Sequence, residues 1–189
     1  KLDRLKVRTH VGSPEKTNAA FYYGREVRLG EGDELEFTKI AWDPTIVVHE
    51  AMHAVIESLT GLPFKGEQGS LQEGFADALT ALYLNTPNMG AAAVKQGAYQ
   101  RTLLNTMNLS ERNGKVYHDS LIVSGTIWEI KENMGDDSAI DLLSFFLTHS
   151  TPGTNLNELK KQFQSWFASC SLGERCDRLG SILSQRGWL

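Results

Sequence analysis

Residues 45–56 read Thr45-Ile46-Val47-Val48-His49-Glu50-Ala51-Met52-His53-Ala54-Val55-Ile56. An apolar run carries two histidines four residues apart, with a glutamate directly after the first. On a helix, residues i and i+4 share a face, with Cβ atoms roughly 5–6 Å apart. Two such histidines can share one metal ion, and the glutamate can take a proton from a water that the metal activates. The flanking residues predict the helix itself. Asp43 is a good N-cap and Pro44 suits the first helical position. Gly61, followed by Leu62-Pro63, supplies the stop. The helix is expected over 44–59, and its apolar character predicts a buried central helix.

A catalytic zinc site usually takes three protein ligands and keeps one position open. Glu73 lies 20 residues after His53, early on a second helix expected over 71–85. Two antiparallel helices joined by a short loop bring that position back beside the first. Asp77 follows one turn later on the same face and can accept the remaining ring N–H of a ligand histidine. Ser70-x-x-Glu73 is also the spacing of a capping box, which would make Glu73 a cap of its own helix.

Upstream, residues 1–40 read as strands and turns. Residues 21–30 hold aromatic and β-branched residues between glycines, with Val27 and Leu29 alternating with charges. Gly30-Glu31-Gly32-Asp33 signals a turn, and a short extended piece is expected around Phe37–Ala41. Downstream, helices are expected over 90–106, 120–133, 137–149, 156–169 and 174–186. The fold class is α+β: a small β-rich N-terminal part, a central zinc-binding helix and an all-helical C-terminal part. One catalytic domain over 1–189 is expected, with residues 1–60 and 61–189 on the two sides of a cleft.

Composition sets the outer bounds. The 189 residues are 41% hydrophobic and 22% charged, ordinary for one globular domain. A net charge of −4 gives no reason to expect nucleic acid as a partner. No apolar run approaches the roughly 20 residues that span a bilayer. The sequence begins at Lys1 without a leader, as expected of a processed or trimmed piece. Cys170 and Cys176 flank one glycine-containing turn, a spacing that favours a disulfide and an exported protein; the alternative is two free thiols in a reducing compartment.

The motif with Glu after 19 residues and Asp four later resembles the thermolysin-like, or gluzincin, zinc metallopeptidases, as a short member. Residues 18–24, Asn18-Ala19-Ala20-Phe21-Tyr22-Tyr23-Gly24, look like that family's edge strand along which substrate lies. Gly30-Glu31-Gly32-Asp33 looks like its following turn, and the run from Leu143 to Gly187 resembles its terminal helices. The resemblance implies Zn2+ as cofactor, held by His49, His53 and Glu73. It implies Glu50 as general base and proton donor, and Asp77 as the partner orienting a ligand histidine. His118, ahead of a later helix, would stabilise the oxyanion, while Asn18, Ala20 and Arg101 would bind the substrate. It further implies a secreted or periplasmic monomer acting as an endopeptidase on peptides or proteins. The family's oxyanion tyrosine aligns with Phe64, which has no hydroxyl, and its substrate-binding asparagine aligns with Ala19. An aminopeptidase, or a catalytically silent zinc-binding interaction module, are the competing readings.

Overall fold

A computed structural model of the chain describes residues 4–12, 16–171 and 173–189. Parts of the region expected as strands and turns, residues 1–3 and 13–15, lie outside these. Among the described residues the architecture is mixed α+β: three short strands and a two-stranded ribbon accompany six α-helices.

The N-terminal sheet has the order β1-β3-β2, formed by β1 Lys6–Arg8, β2 Ala20–Tyr23 and β3 Glu26–Leu29. The stretch over 21–30 is therefore two strands, not one. Gly24 and Arg25 both take left-handed backbone angles, φ 59° and 66°. That is the twist required of a two-residue hairpin loop, and it closes Tyr23 against Glu26. Alternation then puts Val27 and Leu29 in a small core with Ile40 and Ala93, against which Ile46 and Val47 of the next helix pack. β2 is an edge strand.

Helix α1, Pro44–Thr60, runs as the sequence predicts and ends on Gly61 in the left-handed conformation at φ 66°. Its buried face carries Thr45, His49, Glu50, His53, Ala54 and Ile56, whereas Val47 and Val48 are only half-buried. The helix enclosed on nearly all sides is instead α2, Gly66–Leu84, whose residues from Gly69 to Ala78 are all buried. α2 starts five residues earlier than the sequence suggests, because Gly66 and Gly69 read as loop residues. Gly69 lies inside the helix and is buried, with Val116 packed over it. The early start also moves Glu73 two turns into the helix, away from any capping role.

The helix expected over 90–106 does not form. Residues Asn88–Met89 (β4) pair with Arg101–Thr102 (β5), and the chain between them is looped. Asp43 explains much of this. Its Oδ1 caps α1 through the Thr45 and Ile46 amides, while its Oδ2 accepts the amides of Ala92 and Ala93 at 2.7 and 3.0 Å. One carboxylate thus satisfies helix-end and loop donors together, and Gly90 at φ 75° lets the backbone turn into that position.

The remaining helices are α3 Val116–Met134, α4 Asp136–His149, α5 Leu156–Ala168 and α6 Glu174–Gln185. Their main core runs from Ile56 and Phe75 through Ile122, Phe146 and Phe163 to Trp188. α3 lies tightly on α2 at Gly74, where a Cβ would come 2.9 Å from the Ser120 carbonyl oxygen. Cys170 and Cys176 form a disulfide. No helix among the described residues is long and apolar enough to cross a membrane.

Asp43→Ala should destabilise the protein by about 2–4 kcal/mol, combining a lost N-cap of about 1 kcal/mol with unsatisfied buried amides. Urea unfolding checks this, and a change under about 0.5 kcal/mol would contradict the role given to Asp43.

Candidate metal centre

His49 and His53 sit on successive turns of α1, and Gln72, Glu73 and Asp77 face them from α2. Pairing of His53 with Gln72 and of His49 with Asp77 shows that the two helices run antiparallel. One ligand atom from each of His49, His53 and Glu73 lies within 4.8 Å of the others, and all three residues are buried.

Hydrogen bonding decides what these atoms present to one another. Gln72 donates its amide to the Leu62 carbonyl at 2.8 Å, so its Oε1 is the acceptor that meets His53 Nδ1 at 3.2 Å. His53 Nδ1 therefore carries the proton, and its Nε2 is a lone pair. His49 Nδ1 likewise donates to Asp77 Oδ1 at 2.8 Å. Its Nε2 faces His53 Nε2 at 3.1 Å and Glu73 Oε2 at 3.1 Å. Glu73 Oε2 is buried without a hydrogen-bond donor. Acceptor thus faces acceptor on three sides, at a cost that a cation relieves. Two imidazoles and a carboxylate are a donor set that suits zinc, and both rings are already held in the ligating tautomer.

In the metal-free protein a proton takes the cation's place on His49. Burial alone would disfavour its charge, but Asp77 and Glu73 outweigh that and push the ring up to about 9. Burial, with the neighbouring His49 charge, pushes His53 down to about 4. Asp77 is held well below the usual carboxylate range despite its burial, because Arg101 and His49 both donate to it. Glu50, raised to about 6 mainly by burial, sits beside the ligand cluster without joining it.

The cluster opens into a cleft of 390 Å³ between β2, α1, α2 and the start of α3. Asn18 and Ala20 line it, with Asn18 Oδ1 accepting the Asp33 amide at 2.8 Å. Arg101 also lines it, but its guanidinium is clamped on Asp77 by two bonds of 2.6 and 2.8 Å. Phe64 packs edge-on against the His53 ring at 5.0 Å.

His118, expected at the oxyanion, lies at the start of α3. Its Nδ1 pairs with Asp119 at 3.0 Å, and the residue does not line the cleft among the described residues. Tyr117 lines it instead. Neighbouring positions on a helix point about 100° apart, so a one-residue difference in register exchanges the two. Tyr117 is raised above the ordinary phenol range, by burial first and then by the negative charge of Glu73. Gln72 is the other residue that sequence reasoning missed. The available signal was its place beside Glu73, one helical step toward His53.

Comparison with known proteins agrees with this geometry. A model of the thermolysin metallopeptidase catalytic domain matches residues 3–57, which include His49, Glu50 and His53. A zinc metalloproteinase of Listeria monocytogenes is 42% identical over 71 residues, covering 38% of this chain and 14% of that protein. Bacillolysin of Bacillus cereus is 35% identical over 78 residues, 41% of this chain and 13% of its own length. The matched segments therefore span about one-seventh of these relatives. A metalloproteinase precursor, protealysin of Serratia proteamaculans, shares the fold with a TM-score of 0.82 at 16% identity, over 98% of this chain and 69% of its own. The chain is similar in sequence to the thermolysin catalytic domain over residues 3–57, through the motif helix, and shares the fold of the protealysin precursor over 98% of its length.

Asp77→Ala and Gln72→Ala should each weaken metal binding by about 10–100-fold, the usual effect of removing the partner of a ligand histidine. Competition against a chelator measures this, and unchanged affinity in both would contradict the tautomer argument. The metal-free protein should also lose stability between pH 6.5 and 9. His49 has a folded pKa raised from 6.5 to about 9, so its contribution is complete below 6.5 and lost as pH rises through 9. Urea midpoints after chelation should fall across that window and stay flat with metal bound; a flat profile in both would contradict the assignment.

Proposed function

We propose that the chain is the catalytic core of a zinc-dependent endopeptidase. The observation that carries this reading is the convergence of two imidazole Nε2 atoms and the Glu73 carboxylate on one point in an open cleft, with Glu50 beside them. Zinc bound by His49, His53 and Glu73 would polarise the scissile carbonyl and acidify the attacking water. Glu50 takes the proton from that water as it adds to the carbonyl carbon, then gives it to the departing amine nitrogen. Its raised pKa of about 6 suits a group that must both accept and return a proton near neutrality. Asp77 and Gln72 hold the two imidazoles in the ligating tautomer. Arg101 fixes Asp77 and presents part of its guanidinium to the cleft.

An extended peptide fits along β2, whose outer edge has no partner strand among the described residues and which reaches the cleft through Ala20 and Tyr22. Asn18 and Ala20 would contact its backbone. Main-chain pairing of this kind accepts any sequence that can lie extended, which favours cleavage within a chain. A relative from Staphylococcus epidermidis is named an extracellular elastase. Together with the Cys170–Cys176 disulfide, this supports an exported location and protein substrates.

Glu50→Gln should keep one zinc per chain and lose at least about 10³-fold in cleavage of a blocked internal peptide, and chelation should abolish the parent activity. Cleavage by the variant at the parent rate would remove Glu50 from the mechanism. A zinc-loaded parent that cleaves no peptide would favour the silent binding module.

A further inference from the structure

Gly74 sets how closely the start of α3 sits against α2, and Val116 packs in ordinary contact over Gly69. An added Cβ would stand 3.4 Å from Val116 Cγ2 at Gly69 and 2.9 Å from the Ser120 carbonyl oxygen at Gly74. These contacts bracket Tyr117 and hold it beside the α2 stretch that carries Glu73. Tyr117 lines the cleft with Glu50, Glu73 and Arg101, and 61% of its surface is exposed, so its ring stands in the open cleft.

Apart from the Gln100 side-chain amide, the other polar side-chain donors of the cleft are already engaged. The Tyr22 hydroxyl donates to Glu57 at 2.6 Å, and the Thr45 hydroxyl to Asp43 at 2.6 Å. Arg101 is doubly bonded to Asp77. Asn18 directs its amide to Glu36 at 3.5 Å. Gln100 lies against Gly90, where a Cβ would meet its own Cβ at 2.8 Å, and its Oε1 faces Arg101. The Tyr117 hydroxyl has no hydrogen-bond partner among the described residues. Phe64, across the His53 ring, has no donor to offer.

We propose that Tyr117 is a catalytic residue whose hydroxyl donates a hydrogen bond to the scissile carbonyl oxygen as that oxygen gains negative charge. The proposal rests on the peptidase reading above. No proton is transferred to the oxygen; the O–H stays on the phenol, and its bond strengthens as charge develops. Such a donor stabilises the transition state more than the bound peptide, so it raises kcat with little effect on KM.

The test compares the zinc-loaded parent with Tyr117→Phe. It uses a blocked peptide substrate, a peptide phosphonate that mimics the tetrahedral anion, and the free product peptide. The variant should lose about 10²–10³-fold in kcat with KM within about threefold. Its Kd for the phosphonate, by calorimetry, should rise about 10²-fold, with product affinity and zinc content unchanged. Parent-like kcat and phosphonate affinity would overturn the proposal. So would a loss matched by equal losses of product affinity or zinc, which would mark Tyr117 as structural. A zinc-loaded parent that binds the phosphonate but cleaves nothing would overturn the peptidase reading and the catalytic role of Tyr117 with it, whereas a cleaving parent matched by its variant would overturn Tyr117 alone. A parent that binds no phosphonate would overturn both.

Discussion

In a buried site, His49 Nε2 stands 3.1 Å from both His53 Nε2 and Glu73 Oε2, and His53 Nε2 lies 3.6 Å from Glu73 Oε1. Left to themselves these groups repel, and they are kept together by what lies behind them. Gln72 fixes the proton of one ring and Asp77 that of the other. Arg101 fixes Asp77, and its remaining surface forms part of the cleft. The arrangement is costly unless a cation fills the centre or a proton substitutes for it on His49. That constraint gives the surrounding fold its task, because such a cluster persists only on a rigid frame.

The frame is built by close helix contacts and one shared carboxylate. α2 is buried continuously from Gly69 to Ala78, so the residues facing α1 cannot rotate away. Gly74 lets α3 approach α2 to a distance no side chain would permit, directly beside Glu73. Asp43 ties the N-terminus of α1 to the loop that leads to Arg101. Packing, capping and electrostatics thus act on the same few turns. The edge strand β2 then supplies the opposite wall of the cleft through Ala20 and Tyr22.

The motif helix was legible because three independent signals coincided: an N-cap aspartate with proline after it, histidines at helical spacing, and a terminal glycine. Placing Glu73 and Asp77 beside the histidines required only antiparallel packing, which the short loop at 61–65 imposes. The segment over 90–106 was not legible, since its alanines and sparse glycines read as helix while its conformation depends on Asp43, some fifty residues away. The start of α2 was hidden for a related reason: Gly66 and Gly69 look like loop residues until Val116 is seen against the helix. Tyr117 and His118 differ by one helical step, and sequence pattern alone does not resolve which of them faces a cleft. Gln72 was overlooked because a neutral amide carries no charge signal, although its two hydrogen bonds settle the tautomer of His53.

The central claim is that the cluster is a metal site with an all-nitrogen-and-oxygen shell drawn from α1 and α2. X-ray absorption on the chain loaded with one equivalent of zinc tests it most directly. The account predicts two imidazoles and one carboxylate at about 2.0–2.2 Å, with no sulfur shell. Zinc bound through fewer than two imidazoles, or a sulfur shell at about 2.3 Å, would contradict it.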